Sequence, residues 1–282
     1  MSQISASDWN PLVSTIQGIL NAWGQSYSSY AVDNTRKVNH SDWNALVTDI
    51  NSCYTHITGS GSSLSTVATG TRITQANLTN ASAAVTYINS NRYVSSALTN
   101  NTVYDSGVST FSPWSSYWSA TFNVSWASST AYQRFFNSGG DLYLNFSMTG
   151  TDNWSQEIAN LGNNAGAIAI SATTTKQQGQ TWTGSYGFSG ALNLSSGSSN
   201  NWLNLPNPDT YYTSDNLVIN ITPNGSYATA TGWTVTVTFT NGRSTLGGAP
   251  NTINGTVRMV ATQQYALGNT ISSFSFSSSS QV

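Results

Sequence analysis

The sequence predicts an α+β chain: a small helical-repeat region over residues 1–95, then a predominantly antiparallel β-sandwich over 101–282 with one inserted helix. Three observations predict this. A ten-residue motif is written twice near the start, SDWNPLVSTI from Ser7 and SDWNALVTDI from Ser41. Beyond residue 101 the apolar residues recur every second position, the period of a strand. Clusters of Ser, Gly and Asn, which favour turns, separate those segments.

The repeat is longer than its core. The copies read ISASDWNPLVSTIQGI from Ile4, VNHSDWNALVTDINSC from Val38 and, more weakly, ITQANLTNASAAVTYI from Ile73. Their starts are 34 and 35 residues apart, a period that marks a supersecondary repeat with helices near 4–20, 38–54 and 73–90. In the first two copies Ser5 or Asn39 stands three before Asp8 or Asp42. This approximates a capping box with Asp in place of Glu. An apolar residue (Ile4, Val38, Ile73) precedes each cap, and another (Trp9, Trp43, Leu78) follows five positions later, the spacing of a hydrophobic staple.

Behind the caps, Trp9, Leu12, Val13 and Ile16 fall on one helical face, as do Trp43, Leu46, Val47 and Ile50. Pro11 is unwelcome inside a helix, so a start as late as Ser7 is expected, and Gly18 and Gly24 predict fraying or an end. Each rod is read as about three turns, too short to hold alone. The stripes are therefore expected to pack on one another or on another chain, and those eight residues form the candidate assembly and docking set.

A turn-rich segment, Thr58 to Gly70, reads as a linker or loop. Strands are expected at TFNVSWA from Thr121, LYLNFSM from Leu142, AGAIAI from Ala165, LVINIT from Leu217, WTVTVTFT from Trp233, GTVRMVA from Gly255 and ISSFSF from Ile271. The inserted helix is placed at DNWSQEIANLG, where Trp154, Ile158 and Leu161 share a face and Gly162 ends the run. Asn137-Ser138-Gly139-Gly140 reads as a turn feeding the LYLNFSM strand.

The DWN helix starts at this spacing resemble the N-terminal parts of structural proteins of tailed bacteriophages, those of cyanobacterial phages above all. RFFNSGGDLYLNFS, followed by a Trp-containing helix and a β-rich tail, also looks like those proteins. The similarity covers residues 4–53 and about 134–170. It implies a virion component (tail fibre, collar, baseplate or capsid decoration), made in the host cytoplasm, and it implies no catalytic residue.

Composition narrows the function classes. Charged residues are 6% of the chain, against roughly 25% in an average soluble domain. The net charge is −2 and Arg36-Lys37 is the one adjacent basic pair, so neither nucleic acid nor a membrane surface is an expected partner. No run approaches the ~20 apolar residues of a membrane span, and no signal peptide is visible. Cys53 is the single cysteine, which excludes an intrachain disulfide.

His56 follows Cys53 by three positions, but a metal site would need two more ligands, and no cofactor, metal or catalytic residue is expected. The carboxylates Asp105, Asp141, Asp152, Glu157, Asp209 and Asp215 offer no evident facing pair for glycosidase chemistry. Depletion of charge with abundant aromatics suits an assembly protein, with other virion proteins and further copies of the chain as partners. The alternative is a receptor-binding module for host-surface glycan, with or without depolymerase activity. Trp202, Tyr211 and Tyr212 beside LPNPDT would be its stacking platform.

Overall fold

The computed structural model describes residues 4–35, 37–110, 113–151, 155–156, 159, 167–171, 175–177, 200–206, 216–225, 229–241, 245–246, 249–250 and 252–281. It is an α+β fold of two compact units. One comprises residues 1–98 with 137–139, the other 99–136 with 140–282.

The first unit holds α1 (Ala6–Trp23), α2 (His40–Thr58) and α3 (Gln75–Asn91). These are 18, 19 and 17 residues long, well beyond the three turns expected. All three start as the caps require. Ser5 Oγ accepts from Asp8 N in α1, and full boxes form at Asn39/Asp42 and Thr74/Asn77. Pro11 does not delay the first helix, which begins at Ala6. Pro11 and Ser7, whose carbonyl loses its helical donor, are both exposed, so water can take that bond. Gly18 sits inside α1 without ending it. The ends fall instead at Gly24 and Gly59, whose φ of 76° and 81° close α1 and α2 in the left-handed conformation.

The staple residues share one apolar cluster with the stripes: Ile4 is buried in it, and Val38 and Ile73 pack against it. The segments after α1 and α2 are straps rather than loose loops. Each runs back along the helix it has just left and delivers the chain to the start of the next, so successive helices point the same way.

The second unit opens with β1 (Thr99–Asp105), β2 (Ser109–Thr110), β3 (Tyr117–Ser125), α4 (Ser129–Asn137) and β4 (Asp141–Gly150). It continues with β5 (Ala167–Ile170), β6 (Thr175–Gln177), β7 (Asn200–Pro206), β8 (Asn216–Pro223) and β9 (Gly232–Thr240). A small hairpin, β10 (Thr245–Leu246) with β11 (Ala249–Pro250), precedes β12 (Gly255–Tyr265) and β13 (Ser273–Gln281). One sheet runs β1-β12-β4-β5-β6, with β2 also on β12; the other runs β13-β3-β9-β8-β7. Every pairing is antiparallel.

Alternation sets the register. Trp118, Ala120, Phe122 and Val124 of β3 face Phe239, Val237, Val235 and Trp233 of β9 across the ladder, and all eight are buried. Tyr104 of the first sheet stacks on Phe274 of the second, 5.1 Å between ring centres, which closes the sandwich at one edge.

The helix expected at 152–162 lies largely outside the described residues, but the three that are described there, Ser155, Gln156 and Ala159, are helical. A further helix, α4, precedes it and is not among the elements expected from the sequence. Ser128 Oγ accepts from Ala131 N at its start, and Tyr132, Phe135 and Phe136 form its buried face. They enclose Trp126 with Trp233, whose indole N–H donates to Tyr132 Oη.

Candidate functional site

The expected docking stripe is not a surface. Trp9, Val13, Ile16, Trp43, Leu46, Val47 and Ile50 are each at most 1% exposed and form the core of the helical unit. Of the eight residues, Leu12 alone is half-exposed. The reason is geometric: three parallel helices turn their stripes toward one another, and the parallel arrangement needs a return segment whose own residues help cover them. Any docking by this unit must use another part of it.

The duplicated DWN has a different use. Asp belongs to the cap. The Trp indole donates to a strap carbonyl, Trp9 Nε1 to Tyr30 O at 3.2 Å and Trp43 Nε1 to Ser65 O at 3.0 Å. The Asn side chain clamps one strap residue from both sides. Asn10 Nδ2 donates to Val32 O at 2.9 Å, and its Oδ1 accepts from Val32 N at 2.8 Å. Asn44 does the same to Val67, at 3.0 and 2.8 Å. Seven residues further along each helix, Gln17 and Asn51 donate to Ser29 O and Leu64 O. From the next helix, Asp49 accepts the N–H groups of Ser28 and Ser29, so the first strap is held between α1 and α2. In the third copy Leu78 stands for Trp, Thr79 for Asn and Thr86 for Gln17 and Asn51.

Cys53 and His56 do not form a pair. Cys53 is fully buried, and burial, with Asp49 adding to it, pushes its thiol up to about 12, which makes it inert as a nucleophile. His56 packs its ring on Trp23, 4.2 Å between centres, and its Nε2 lies 3.0 Å from Ser138 O. Burial holds His56 below its ordinary value, although the Ser138 carbonyl pulls the other way. Trp23 Nε1 donates to Arg92 O and Asn137 O, so Asn137–Gly139 is bound into the helical unit. Gly139 has φ of 89°, and a Cβ there would come within 2.9 Å of Ser95 N. The expected turn is thus also a packing element.

Asp105 is ion-paired with Arg258, Oδ2 to Nη2 at 2.6 Å, and that guanidinium with the Gly107 N–H holds the carboxyl down at about 2. Asp141 receives the Tyr143 hydroxyl at 3.3 Å. Asp152, Glu157, Asp209 and Asp215 lie outside the described residues, as do Tyr211 and Tyr212. Trp202 falls where the register of β7 shifts against β8, between Asn201 and Leu203, a bulge in an edge strand. Among the described residues no cluster of His, Cys, Asp or Glu could hold a metal ion, and no helix is long and apolar enough to cross a membrane.

Two surfaces stand out. The helical unit carries a groove of 710 Å³ between the first turns of α1 and the length of α3, lined by Asp8, Leu12, Leu78, Ser82, Ala83 and Tyr87 among others. The second is the outer face of the sheet β13-β3-β9-β8-β7. None of these five strands contains an Asp, Glu, Lys or Arg. Its outward residues on β3 and β9 are Tyr117, Ser119, Thr121 and Asn123 beside Thr240, Thr238, Thr236 and Thr234. Comparison with known proteins finds no matching family, no similar curated protein and no similar solved structure.

Proposed function

We propose that this chain is a non-enzymatic structural component of a tailed-phage virion, in which the helical unit docks on the particle and the β unit makes assembly contacts. The uncharged sheet carries the reading. A face of hydroxyls and amides with Tyr117 and Val218 can be buried against a neighbour without stripping water from any charge, the main penalty of a poorly paired interface. The resemblance of residues 4–53 and 134–170 to virion proteins supports the same reading. Among the described residues, Cys53 is buried and Asp105 is paired with Arg258, structural uses that agree with it.

An antibody raised against the full-length protein tests this directly. It should label purified particles at a regular position, as seen by electron microscopy. Signal confined to the lysate, with none on particles, would refute the proposal.

A further inference from the structure

We infer that the groove between α1 and α3 receives an extended, uncharged segment of another polypeptide chain, running antiparallel to α3. The inference rests on the docking reading above and names the kind of partner.

The three helices form three seams. The α1/α2 seam is filled by the first strap, bonded to Trp9, Asn10 and Gln17 on one side and to Asp49 on the other. The second strap is bonded to Trp43, Asn44 and Asn51 in the same way. Both straps present their carbonyls in one pattern: the valine itself, the residue two before it and the residue three before it. These are Val32, Tyr30 and Ser29 in one strap, and Val67, Ser65 and Leu64 in the other.

The α3/α1 seam is the counterpart without a strap among the described residues. Thr79 and Thr86, which open into it, correspond to the strap-holding Asn10 and Gln17. On the other wall, Asp8 and Leu12 correspond to Asp42 and Leu46. The latter two are buried in α2, on the helix face that carries Asp49, whereas Asp8 is exposed and Leu12 half-exposed. One repeated sequence is thus covered in one seam and open in the other. What covers it elsewhere in this chain is extended backbone.

The third seam has lost the means to hold such a segment permanently. Leu78 has no indole donor, and the hydroxyls of Thr79 and Thr86 donate to Gln75 O and Ser82 O of their own helix. The remaining grip is apolar, from Leu12, Leu78, Ala83 and Tyr87. That favours exchangeable binding of a separate chain over a built-in strap. The segment is uncharged because both straps are, from Gln25 to Val32 and from Ser62 to Val67. An acidic one would also meet Asp8, whose carboxylate already receives Ser5 Oγ.

The test uses the full-length protein and a blocked peptide of the first strap's sequence, QSYSSYAV, titrated while the amide and methyl NMR signals are followed. Saturable shifts are expected at Leu12, Leu78 and Tyr87, with none at Asn10 or Asn44. Ala83→Trp, an exposed site that fills the groove, should abolish them. Leu78→Trp with Thr79→Asn, which reinstates both donors, should tighten binding at least about tenfold.

No saturable shift in the wild-type protein would overturn the inference, as would shifts that survive Ala83→Trp. Shifts at the same residues that grow with protein concentration alone would make a second copy the occupant and overturn the assignment to a foreign chain. A silent groove in a protein that still labels on particles removes this inference and leaves the docking reading. A binding groove in a protein absent from particles does the reverse.

Discussion

The two units solve the same problem, satisfying backbone groups around an apolar core, by opposite means. In the β unit backbone pairs with backbone: nine consecutive residues of β3 are matched to β9 on one side and to β13 on the other. In the helical unit the extended segments have no partner strand, and side chains of Trp9, Asn10, Gln17, Trp43, Asn44 and Asn51 take its place. A ladder distributes its bonds over many residues, whereas a clamp concentrates them in a few. Single substitutions should therefore hurt the helical unit more than the outer face of the sheet.

The largest effect is expected at Trp43→Ala, which removes both a fully buried ring and the bond to Ser65 O. It should cost about 3–5 kcal/mol, read from urea unfolding of the helical signal. A loss no larger than that of a surface change would break the comparison. Asn44→Ala comes next. It orphans both backbone groups of Val67 and should cost about 1–3 kcal/mol. The matching change in the third copy, Thr79→Ala, loses only a bond back to Gln75 O within the same helix and should stay within about 0.5 kcal/mol. Equal losses at the two sites would show that the clamp carries no special weight.

A smaller, pH-dependent effect is expected at His56. Its folded value lies below its ordinary one because burial disfavours the cation. The unfolded chain therefore takes up the proton first on acidification. The stabilising contribution is complete above about 6.5 and fades as pH falls below that toward the folded value. Unfolding midpoints of the wild type and His56→Gln, compared from about pH 8 to about pH 5, should diverge in slope only over that window. The smallest effect belongs to the sheet. Thr234→Ala removes one exposed cross-strand bond, to Asn123 Oδ1 at 2.9 Å, and should cost about 0.2–1 kcal/mol by thermal melting.

What was legible in the sequence follows the range of the physics involved. Caps and stripes act over three to eight residues, so Asn39, Asp42, Trp43 and Leu46 declared their local roles. Strand alternation is equally local: β4, β8, β9 and β12 each contain the segment expected for them, and β13 starts two residues into its own. The clamps were hidden because Asn10 and Asn44 bind residues 22 and 23 positions downstream, beyond any helical period. A usable signal existed all the same: Asn followed Trp in both strong copies, though no helix start requires it there.

The depth of the docking stripe was hidden for a related reason. Periodicity shows which side of a rod is apolar, not whether that side meets a neighbour in the same chain or outside it. Helix α4 carries the apolar spacing of Tyr132, Phe135 and Phe136, but at nine residues it spans too few turns for that spacing to stand out as a helical period. The helix expected at 152–162 is a separate element, and Ser155, Gln156 and Ala159 are helical within it.

The absence of Asp, Glu, Lys and Arg from the sheet β13-β3-β9-β8-β7 has a consequence for the conditions under which the protein works. Mobile ions weaken attraction between formal charges, with a reach of about 10 Å at 0.1 M and about 3 Å at 1 M. Contacts of hydroxyls, amides and rings offer them almost nothing to screen. An attachment made through that face would hold about equally well in fresh water and in brine, and across the whole range of ordinary acidity.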